Sequence, residues 1–465
     1  MKLLYNFASR QRPEKCFATI ENIINLSEHD NYIILLNLDL DDAKMTSKEV
    51  RDKLLTYPNV MPVYGSSKTK IEAINANIWM IDSFDILINV SDDQEFLVKG
   101  FDKRIISDML HWFPNTDGIL HYPDGTFNGE KMMTLSIIGS TYFKRTNKVY
   151  YEGYKSVFCD QEETRRAEEL GKYKFINENI FVHKHWLFNP ATILPDELNK
   201  RNDNEEIYEH DRQVYLRRNP ILLIKFASRG RKQQFYKAME NIYSTIKTKY
   251  FKVIITADGD DEQMNNADVR WVISTYKNAT IYYDKQVSKI DAINRNFDRH
   301  LEWSWCITMS DDMEFTVNGW DELMLSQIKQ EWGDSLDFFA HFSDGFVFDK
   351  LPTMNICGRD YYKRFGYIYH PTYGSVSCDA ENYFVAQMLG RYKYFKECYF
   401  NHIHPANIGV PSDHVYRLND KFGQRDTDNY FNRMARLFDV QNPIMIPDIL
   451  KKEMIEKGFK IPNNL

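Results

Sequence analysis

The segment Lys70-Ile-Glu-Ala-Ile-Asn75 recurs as Lys289-Ile-Asp-Ala-Ile-Asn294, and Ser91-Asp-Asp-Gln-Glu-Phe96 recurs as Ser310-Asp-Asp-Met-Glu-Phe315. Both recurrences have one spacing, 219 positions, from 70 to 289 and from 91 to 310. Shorter matches follow at the same spacing before and after these segments. A repeat of this length indicates a duplicated domain rather than a solenoid of short units.

Each copy has the same predicted order of elements. The first copy has an apolar strand at 3–7, an amphipathic helix at 12–26, an apolar strand at 32–39, a helix at 70–81 and a strand at 86–90. The second copy has equivalents at 221–226, 232–246, 251–258, 289–301 and 305–309. Strands alternating with helices predict right-handed βαβ units. The sequence therefore predicts an α/β fold with two tandem, Rossmann-like, mostly parallel sheets.

The predicted domains are 1–219 and 220–440, followed by a tail at 441–465. Polar segments with helical spacing, 199–218 and the region after 426, are predicted to close the two copies.

Composition favours a soluble protein of a reducing compartment. The net charge of −7 gives no overall basic surface for nucleic acid. The six cysteines show no Cys-x-x-Cys spacing, which argues against a disulfide framework and a structural zinc site. The longest apolar runs are far shorter than the roughly 20 residues of a membrane span. The sequence thus predicts a cytoplasmic protein without a membrane span.

Carboxylates crowd the end of a predicted strand in each copy. Asp92, Asp93 and Glu95 follow the strand at 86–90, and their equivalents follow the strand at 305–309. The carboxyl ends of parallel strands form the ligand-binding rim of open α/β sheets. Crowded carboxylates repel one another unless a cation or a proton intervenes, and a divalent ion bridging phosphates is one such cation. A solvated acidic turn is the simpler alternative, which the recurrence in both copies disfavours.

Other polar residues recur beside strand ends and helix starts. Asp39 and Asp258 end the second strand of each copy, and the pattern Ser-Arg-x-Arg follows the first strand, where guanidinium groups suit a pyrophosphate. Asp160 and Asp379 each precede a predicted helix. An aspartate there is either the N-cap of the helix or a general base. A His-x-His pattern lies near the end of each copy: His183 with His185, and His402 with His404. These histidines are either metal ligands or structural residues.

Together these motifs resemble the inverting glycosyltransferases of family 2, which have the GT-A fold, over about residues 1–190 and 220–410. The acidic clusters resemble the metal-binding Asp-x-Asp signature, with glutamate in place of the last aspartate. The Cys-Asp pairs resemble the Glu-Asp base motif, with cysteine in place of the first acid. Two copies in one chain could both be active or could include one binding platform.

The resemblance implies three sets of site residues. The catalytic bases would be Asp160 and Asp379. The metal ligands would be Asp93, Glu95, His185, Asp312, Glu314 and His404. The residues binding the donor nucleotide would be Ser9, Arg10, Arg12, Asp39, Lys70, Asn75, Asp92, Ser228, Arg229, Arg231, Asp258, Lys289, Asn294 and Asp311.

The implied activity is metal-dependent transfer of a hexosyl or pentosyl group, with Mn²⁺ or Mg²⁺, from a nucleotide sugar to an acceptor hydroxyl. On family grounds the nucleotide is UDP and the acceptor is a glycan or another hydroxyl compound. Three alternatives stay open: a phage-type enzyme that glycosylates DNA, a non-catalytic nucleotide-sugar or carbohydrate-binding protein, and a nucleotidyltransferase. The last is disfavoured because no glycine-rich phosphate loop with a lysine follows the first strand.

Overall fold

The computed structural model describes residues 1–126, 129–186, 193–285, 287–297, 302–404, 409 and 413–462. The chain divides into two compact units, Met1–Tyr215 and Leu216–Leu465, called unit 1 and unit 2 below. Of the tail predicted at 441–465, residues 463–465 lie outside the described residues. Within the described part of the chain, no helix combines the length and the apolar character needed to cross a bilayer.

Unit 1 is built on a seven-stranded sheet with the order β3-β2-β1-β4-β7-β6-β8. β7 runs antiparallel to both β4 and β6, whereas the remaining neighbours are parallel. A two-stranded antiparallel ribbon, β5 with β9, forms a separate sheet. The strands are β1 Leu3–Ala8, β2 Tyr32–Asp39, β3 Val60–Gly65, β4 Ile86–Val90, β5 Gln94–Phe96, β6 Ile119–His121, β7 Ser136–Gly139, β8 Tyr173–Phe175 and β9 Phe181–His183.

The helices of unit 1 connect these strands, and Glu205–Arg218 continues past the unit boundary at Tyr215. They are Pro13–Leu26, Lys48–Leu54, Lys70–Asn75, Phe101–Trp112, Ser140–Phe143, Cys159–Glu169, Glu197–Asn202 and Glu205–Arg218, with a 3₁₀ turn at Ile78–Met80. The first has proline in its first turn, where no intrahelical N–H partner is needed. It buries Cys16, Ile20 and Ile23, whose spacing places them on one face.

Unit 2 repeats the architecture, with the sheet order β12-β11-β10-β13-β16-β15-β17 and the ribbon β14 with β18. Its strands are β10 Leu222–Ala227, β11 Phe251–Asp258, β12 Ala279–Asp284, β13 Trp305–Met309, β14 Met313–Phe315, β15 Phe339–Ser343, β16 Ile356–Gly358, β17 Tyr392–Cys398 and β18 Phe400–His402. Its helices are Lys232–Thr245, Ala267–Thr275, Lys289–Asn294, Trp320–Trp332, Arg359–Lys363, Cys378–Met388, His414–Asp420, Gly423–Met434 and Asp448–Glu456, with a 3₁₀ turn at Leu437–Asp439.

Both sheets are covered on their two faces. In β1, Leu3, Tyr5 and Phe7 belong to one apolar cluster, whereas Leu4 belongs to another. Successive side chains of a strand point to opposite faces, so each cluster fills one side of the sheet. Strand β10 divides its side chains between two clusters in the same way. The predicted α/β fold with two tandem, Rossmann-like, mostly parallel sheets is therefore confirmed.

One pair of helices is shorter than the periodicity predicts. The helix predicted at 70–81 ends at Asn75, and the helix predicted at 289–301 ends at Asn294, with 298–301 outside the described residues. The change is local: Ala76 and Arg295 are extended, with ψ values of 148° and 154°, and the next residues, Asn77 and Asn296, have left-handed φ values of 59° and 67°. Asparagine tolerates that conformation better than most residues, and it interrupts a right-handed helix.

Candidate active site

The first aspartate of each acidic cluster accepts several hydrogen bonds at the carboxyl ends of the parallel strands. Asp92 accepts hydrogen bonds from the Ser9 hydroxyl at 2.9 Å and from Arg12 Nη1 at 2.7 Å. In unit 2, Asp311 accepts from Ser228 at 3.1 Å and from Arg231 at 2.8 Å. The repeated Ser-Arg-x-Arg pattern thus fixes this aspartate from the neighbouring strand β1 or β10.

The same arginines also bind a carboxylate from the region after the paired histidines. Arg12 donates to Asp196 through two nitrogens, at 2.8 and 2.6 Å. Arg231 donates to Asp413 at 2.7 and 2.8 Å. Each guanidinium therefore lies between two carboxylates. The arginines predicted to bind a pyrophosphate are already neutralised within their own units.

Arg10 and Arg229 are neutralised in a similar way. Arg10 Nη1 lies 2.9 Å from Asp39 Oδ2, and a bidentate pair joins the same arginine to the exposed Asp41. In unit 2, Arg229 lies 2.8 Å from Asp258 and contacts Asp260 as well. The predicted nucleotide-binding aspartates thus lie at the ends of β2 and β11 as expected. Asp39 has an arginine on one carboxylate oxygen, whereas Asp258 has Arg229 on Oδ2 and Arg295 on Oδ1.

The second aspartate of each cluster meets the first histidine of the His-x-His pair. The register of β5 with β9 places Gln94 opposite His183, so Asp93 Oδ1 lies 3.3 Å from His183 Nε2. Burial opposes the charge on His183, but the carboxylates of Asp124 and Asp93 outweigh it and raise its pKa to about 9. Burial would raise the pKa of Asp93, but His183 and Lys70 lower it far below the usual range.

The corresponding pair in unit 2 is Asp312 with His402. Their closest atoms, Oδ2 and Nε2, are 3.5 Å apart. Strand β14 pairs with β18 so that Met313 lies opposite His402, as Gln94 lies opposite His183 in unit 1. The hydrogen bond from His402 and the charge of Lys289 help to keep the pKa of Asp312 low against the effect of burial.

The remaining predicted metal ligands contact other partners, although the second histidine of each pair packs beside the first, with ring centroids 5.4 Å apart in unit 1 and 5.5 Å apart in unit 2. Glu95 forms an ion pair with Lys184, and Glu314 is exposed on strand β14. Strand β9 ends at His183, so His185 does not share a strand face with it; its Nε2 lies 3.6 Å from Asp203. His404 packs edge-on against Tyr416, with ring centroids 4.7 Å apart. Asp312 and Glu314 line one pocket, but among the described residues no group of three or more such side chains is gathered around a metal position. The role of Glu95, His185, Glu314 and His404 as metal ligands stays a prediction.

The chemistry of the second aspartates fits a cation that arrives with a nucleotide. Among the described residues, no group of three or more His, Cys, Asp or Glu side chains forms a metal cage. A Mg²⁺ ion at a phosphate site needs only one or two protein carboxylates, because the substrate phosphates and water supply its other ligands. Asp93 and Asp312, held ionised at a strand end, can provide that carboxylate.

The Cys-Asp motif starts a helix on the other side of the same cleft. Asp160 is the second residue of Cys159–Glu169, and its Oδ1 accepts from the Gln161 N–H at 2.9 Å. Burial raises the pKa of Asp160, although the positive charge of Lys70 opposes the shift. Phe158, immediately before the helix, has a left-handed φ of 64°. A large side chain in that conformation is uncommon and costs free energy, and such strain is frequent at functional sites.

In unit 2 the Cys-Asp helix also follows a residue with left-handed backbone, and an open pocket lies beside it. Ser377, before the helix Cys378–Met388, has φ 64°. A pocket there is lined by residues that include Lys289, Ser310, Asp379 and His402. The predicted base and the predicted lysine therefore share one pocket with the histidine that contacts Asp312.

Asn75 and Asn294 have a structural role in the described chain. Asn75 donates to the carbonyl of Tyr150 at 2.8 Å and accepts from the N–H groups of Val149 and Tyr150. Asn294 makes the equivalent contacts with residues 368 and 369. These bonds hold the loop that precedes the Cys-Asp helix. Their role in nucleotide binding stays a prediction.

Two buried carboxylates that the sequence analysis missed also hold this loop. Asp211 accepts from three consecutive N–H groups, those of residues 155, 156 and 157, at 2.7–2.8 Å. Asp426 accepts from those of residues 374, 375 and 376 at 2.7–3.0 Å. Because the two aspartates are 215 positions apart rather than 219, the main repeat register does not align them. The available signal was their place in the predicted closing helices.

A third carboxylate that the sequence analysis missed, Asp124, lies on the Nδ1 side of the His183 ring, opposite Asp93. Its Oδ2 lies 3.8 Å from His183 Nδ1, and the same oxygen accepts from the Thr134 hydroxyl at 2.8 Å. The fully buried Asp124 also receives the Thr126 N–H and hydroxyl. It lies in the repeated motif His121-Tyr-Pro-Asp-Gly125, so its recurrence was a usable signal.

Comparison with known proteins gives only distant likenesses. No family model matches the chain, and no curated protein matches it. Among solved structures, the mannosyltransferase PcManGT from Pyrobaculum calidifontis, in complex with GDP-Man and Mn²⁺, matches at 13% identity with a TM-score of 0.37, over 50% of this chain and 69% of that one. TarS from S. aureus matches at 9% and 0.36, over 52% of this chain and 44% of TarS.

The glycosyltransferase GlyE from Streptococcus pneumoniae TIGR4 matches at 9% identity with a TM-score of 0.30, over 62% of this chain and 81% of GlyE. Likenesses at these identities and TM-scores carry no functional inference.

Proposed function

We propose that the chain is a glycosyltransferase with one site in each unit, moving a sugar from a nucleotide-diphosphate sugar to an acceptor hydroxyl with inversion. The observation that carries this proposal is the unit 2 pocket in which Lys289, Asp379 and His402 meet beside the acidic strand end. Ligands of open α/β sheets bind at that edge. A proton acceptor and a cationic group in one cleft are the two functions that the transfer requires.

In the proposed reaction, Asp160 or Asp379 takes the proton of the acceptor hydroxyl. The hydroxyl oxygen attacks the anomeric carbon while the bond from that carbon to the diphosphate oxygen breaks. A partly buried carboxylate with a raised pKa suits a general base because it holds a proton more tightly than an ordinary aspartate does. The nucleoside diphosphate leaves with the electron pair of the broken bond.

The departing diphosphate needs positive charge, and the lysines are better placed to supply it than the arginines. Arg10 and Arg12 each contact two carboxylates, as do Arg229 and Arg231. Lys70 lies within electrostatic range of both Asp93 and Asp160. A bound Mn²⁺ or Mg²⁺, held by Asp93 or Asp312, would add Lewis-acid stabilisation of the leaving group.

The test is release of nucleoside diphosphate from a panel of nucleotide sugars, with UDP-sugars first, in the presence of Mn²⁺. We expect Asp93→Ala with Asp312→Ala to abolish metal-dependent release. The matched control is Glu95→Ala with Glu314→Ala. It removes the glutamates of the same clusters, of which Glu95 pairs with Lys184 and Glu314 is exposed. We expect at most a few-fold loss of nucleoside diphosphate release.

Comparison of the two double variants distinguishes metal binding by Asp93 and Asp312 alone from metal binding that also uses Glu95 and Glu314, as the Asp-x-Asp resemblance implies. Equal loss in both double variants would restore the glutamates as ligands. No release and no nucleotide binding by the wild-type chain with any donor would contradict the proposed transferase activity itself.

A further inference from the structure

The two units differ at one contact of the second aspartate. In unit 1, the hydrogen bond from Ser91 and the ion pair with His183 both use Asp93 Oδ1. In unit 2, Ser310 donates to Asp312 Oδ1, while the hydroxyl of Tyr416 donates to Asp312 Oδ2. Tyr416, from the C-terminal part of unit 2, thus shares Asp312 Oδ2 with His402, whereas no tyrosine hydroxyl contacts Asp93 among the described residues.

Tyr416 is held in this place by three further contacts. Asp413 binds Arg231 through both carboxylate oxygens and also accepts the N–H groups of Val415 and Tyr416. The Arg231 guanidinium lies 4.2 Å from the centre of the Tyr416 ring, and His404 packs against the same ring. Cation–π and edge-on aromatic contacts of this kind are each modestly favourable. The tyrosine is therefore part of a built arrangement.

Unit 1 has the same carboxylate–arginine pair without the tyrosine. Asp196 binds Arg12 as Asp413 binds Arg231, and each aspartate caps the turn that follows it. Three residues after Asp196 stands Asn199, and three residues after Asp413 stands Tyr416. Asn199 Oδ1 accepts from Arg12 Nη2 at 3.0 Å, so its short side chain stays on the arginine. At the position three residues after this aspartate, unit 1 therefore has asparagine and unit 2 has tyrosine.

We propose that Tyr416 competes with the cation of the nucleotide complex for Asp312, so that unit 2 is self-capped and unit 1 is the site that binds first. This inference rests on the proposed function. A phenol donates its proton to the carboxylate, whereas a divalent cation needs the lone pairs of that carboxylate. Each carboxylate oxygen has two lone pairs, and His402 and Tyr416 both approach Asp312 Oδ2. A cation that coordinates this oxygen must therefore displace one of the two, and Tyr416 is the one without a counterpart in unit 1.

The experiment measures Mn²⁺ binding to the full chain by electron paramagnetic resonance at a fixed concentration of UDP, whose phosphates supply further ligands. Asp93→Ala restricts binding to unit 2, and Tyr416→Asn is then added to install the residue found in unit 1. We expect the double variant to bind Mn²⁺ about 10-fold more tightly than Asp93→Ala alone, since a hydrogen bond to a charged group is removed. Tyr416→Phe, which keeps the ring and removes the hydroxyl, is expected to give most of this gain.

The reverse exchange provides the matched control. With unit 2 blocked by Asp312→Ala, Asn199→Tyr is expected to weaken Mn²⁺ binding in unit 1. Equal affinities for Asp93→Ala with and without Tyr416→Asn would overturn the capping inference. Two equivalent sites in the wild-type chain would overturn it too and leave the proposed function intact, whereas absence of Mn²⁺ and nucleotide binding from every variant would overturn both.

Discussion

At the scale of single residues, the two units differ most sharply inside the first strand. Asn6 in β1 is fully buried and donates to the Ile74 carbonyl at 2.8 Å and to Asn89 at 2.9 Å. Lys225 takes its place in β10, equally buried, and donates to the hydroxyl of Thr256. Within the described part of the chain, the contacts of this ammonium include no carboxylate. Burying it therefore costs folding free energy, because desolvation penalises the charged form.

Burial lowers the pKa of Lys225 to about 7, with Arg295 acting in the same direction. The unfolded chain, in which this lysine has its ordinary pKa near 10.5, therefore binds more protons between about pH 7 and 10.5. The contribution of Lys225 to stability consequently rises with pH through this window and is least favourable below pH 7.

We expect Lys225→Met to stabilise unit 2 by about 1–4 kcal/mol at pH 7 or below, with a gain that shrinks toward pH 10. Hydrogen exchange of the strand Leu222–Ala227 at pH 7 and urea unfolding at pH 7 and 9.5 would measure it. Lys396→Met, at an exposed position of β17, is the control and is expected to show no such pH dependence. A pH-independent effect at position 225 would contradict the account.

At the scale of elements, the closing helices are fixed to the loop before the Cys-Asp helix by a single buried carboxylate each. Asp211 and Asp426 are fully buried and each binds three consecutive backbone N–H groups. The same loop contacts the helix that begins with the lysine, since Ile71 N donates to the Lys155 carbonyl at 3.4 Å and Ile290 N donates to that of Gly374 at 3.3 Å. One carboxylate therefore supports both sides of the cleft.

Asp211→Asn and Asp426→Asn are each expected to cost about 1–3 kcal/mol, because the amide nitrogen replaces an acceptor and leaves a buried N–H unsatisfied. The loss should appear as faster hydrogen exchange at residues 155–157 and 374–376 respectively. Glu205→Gln, an exposed change at the start of the helix that carries Asp211, should leave exchange unaltered. Unchanged exchange in the aspartate variants would contradict the assigned role.

The sequence predicted the elements that hydrophobic patterning governs. Strands 32–39, 86–90, 251–258 and 305–309 have the bounds that their apolar runs predict. The pattern did not stop the helices at Asn75 and Asn294, because left-handed backbone at the following asparagines depends on local geometry rather than periodicity. The pairing of β5 with β9 was likewise invisible, since strand register is set in three dimensions.

The site could be predicted in location and only in part in detail. The repeated acidic clusters follow the ends of the predicted strands, and each Cys-Asp pair begins a helix, whereas their roles in binding and catalysis stay predictions. The sequence could not show that Arg12 binds Asp196, because those residues are far apart in the chain. It also could not show that His183, rather than His185, meets Asp93, since strand β9 ends between the two histidines.

At the scale of the whole molecule, the chain contains two complete units of one architecture. Each has its own seven-stranded sheet, its own ribbon carrying a histidine to the acidic strand end, and its own helix starting with Cys-Asp. The central claim is that each unit has its own general base. The contribution of unit 2 is limited by Tyr416, so unit 1 is expected to supply most of the activity.

The most direct test is the rate of nucleoside diphosphate release, with Mn²⁺, donor and acceptor, for Asp160→Asn, Asp379→Asn and the double variant. Removal of a general base lowers rates by about 10²–10⁴-fold. We predict that the double variant loses at least about 100-fold while it still binds nucleotide, and that Asp160→Asn alone causes the larger single loss. A double variant that releases nucleoside diphosphate at the wild-type rate would contradict the assignment of Asp160 and Asp379.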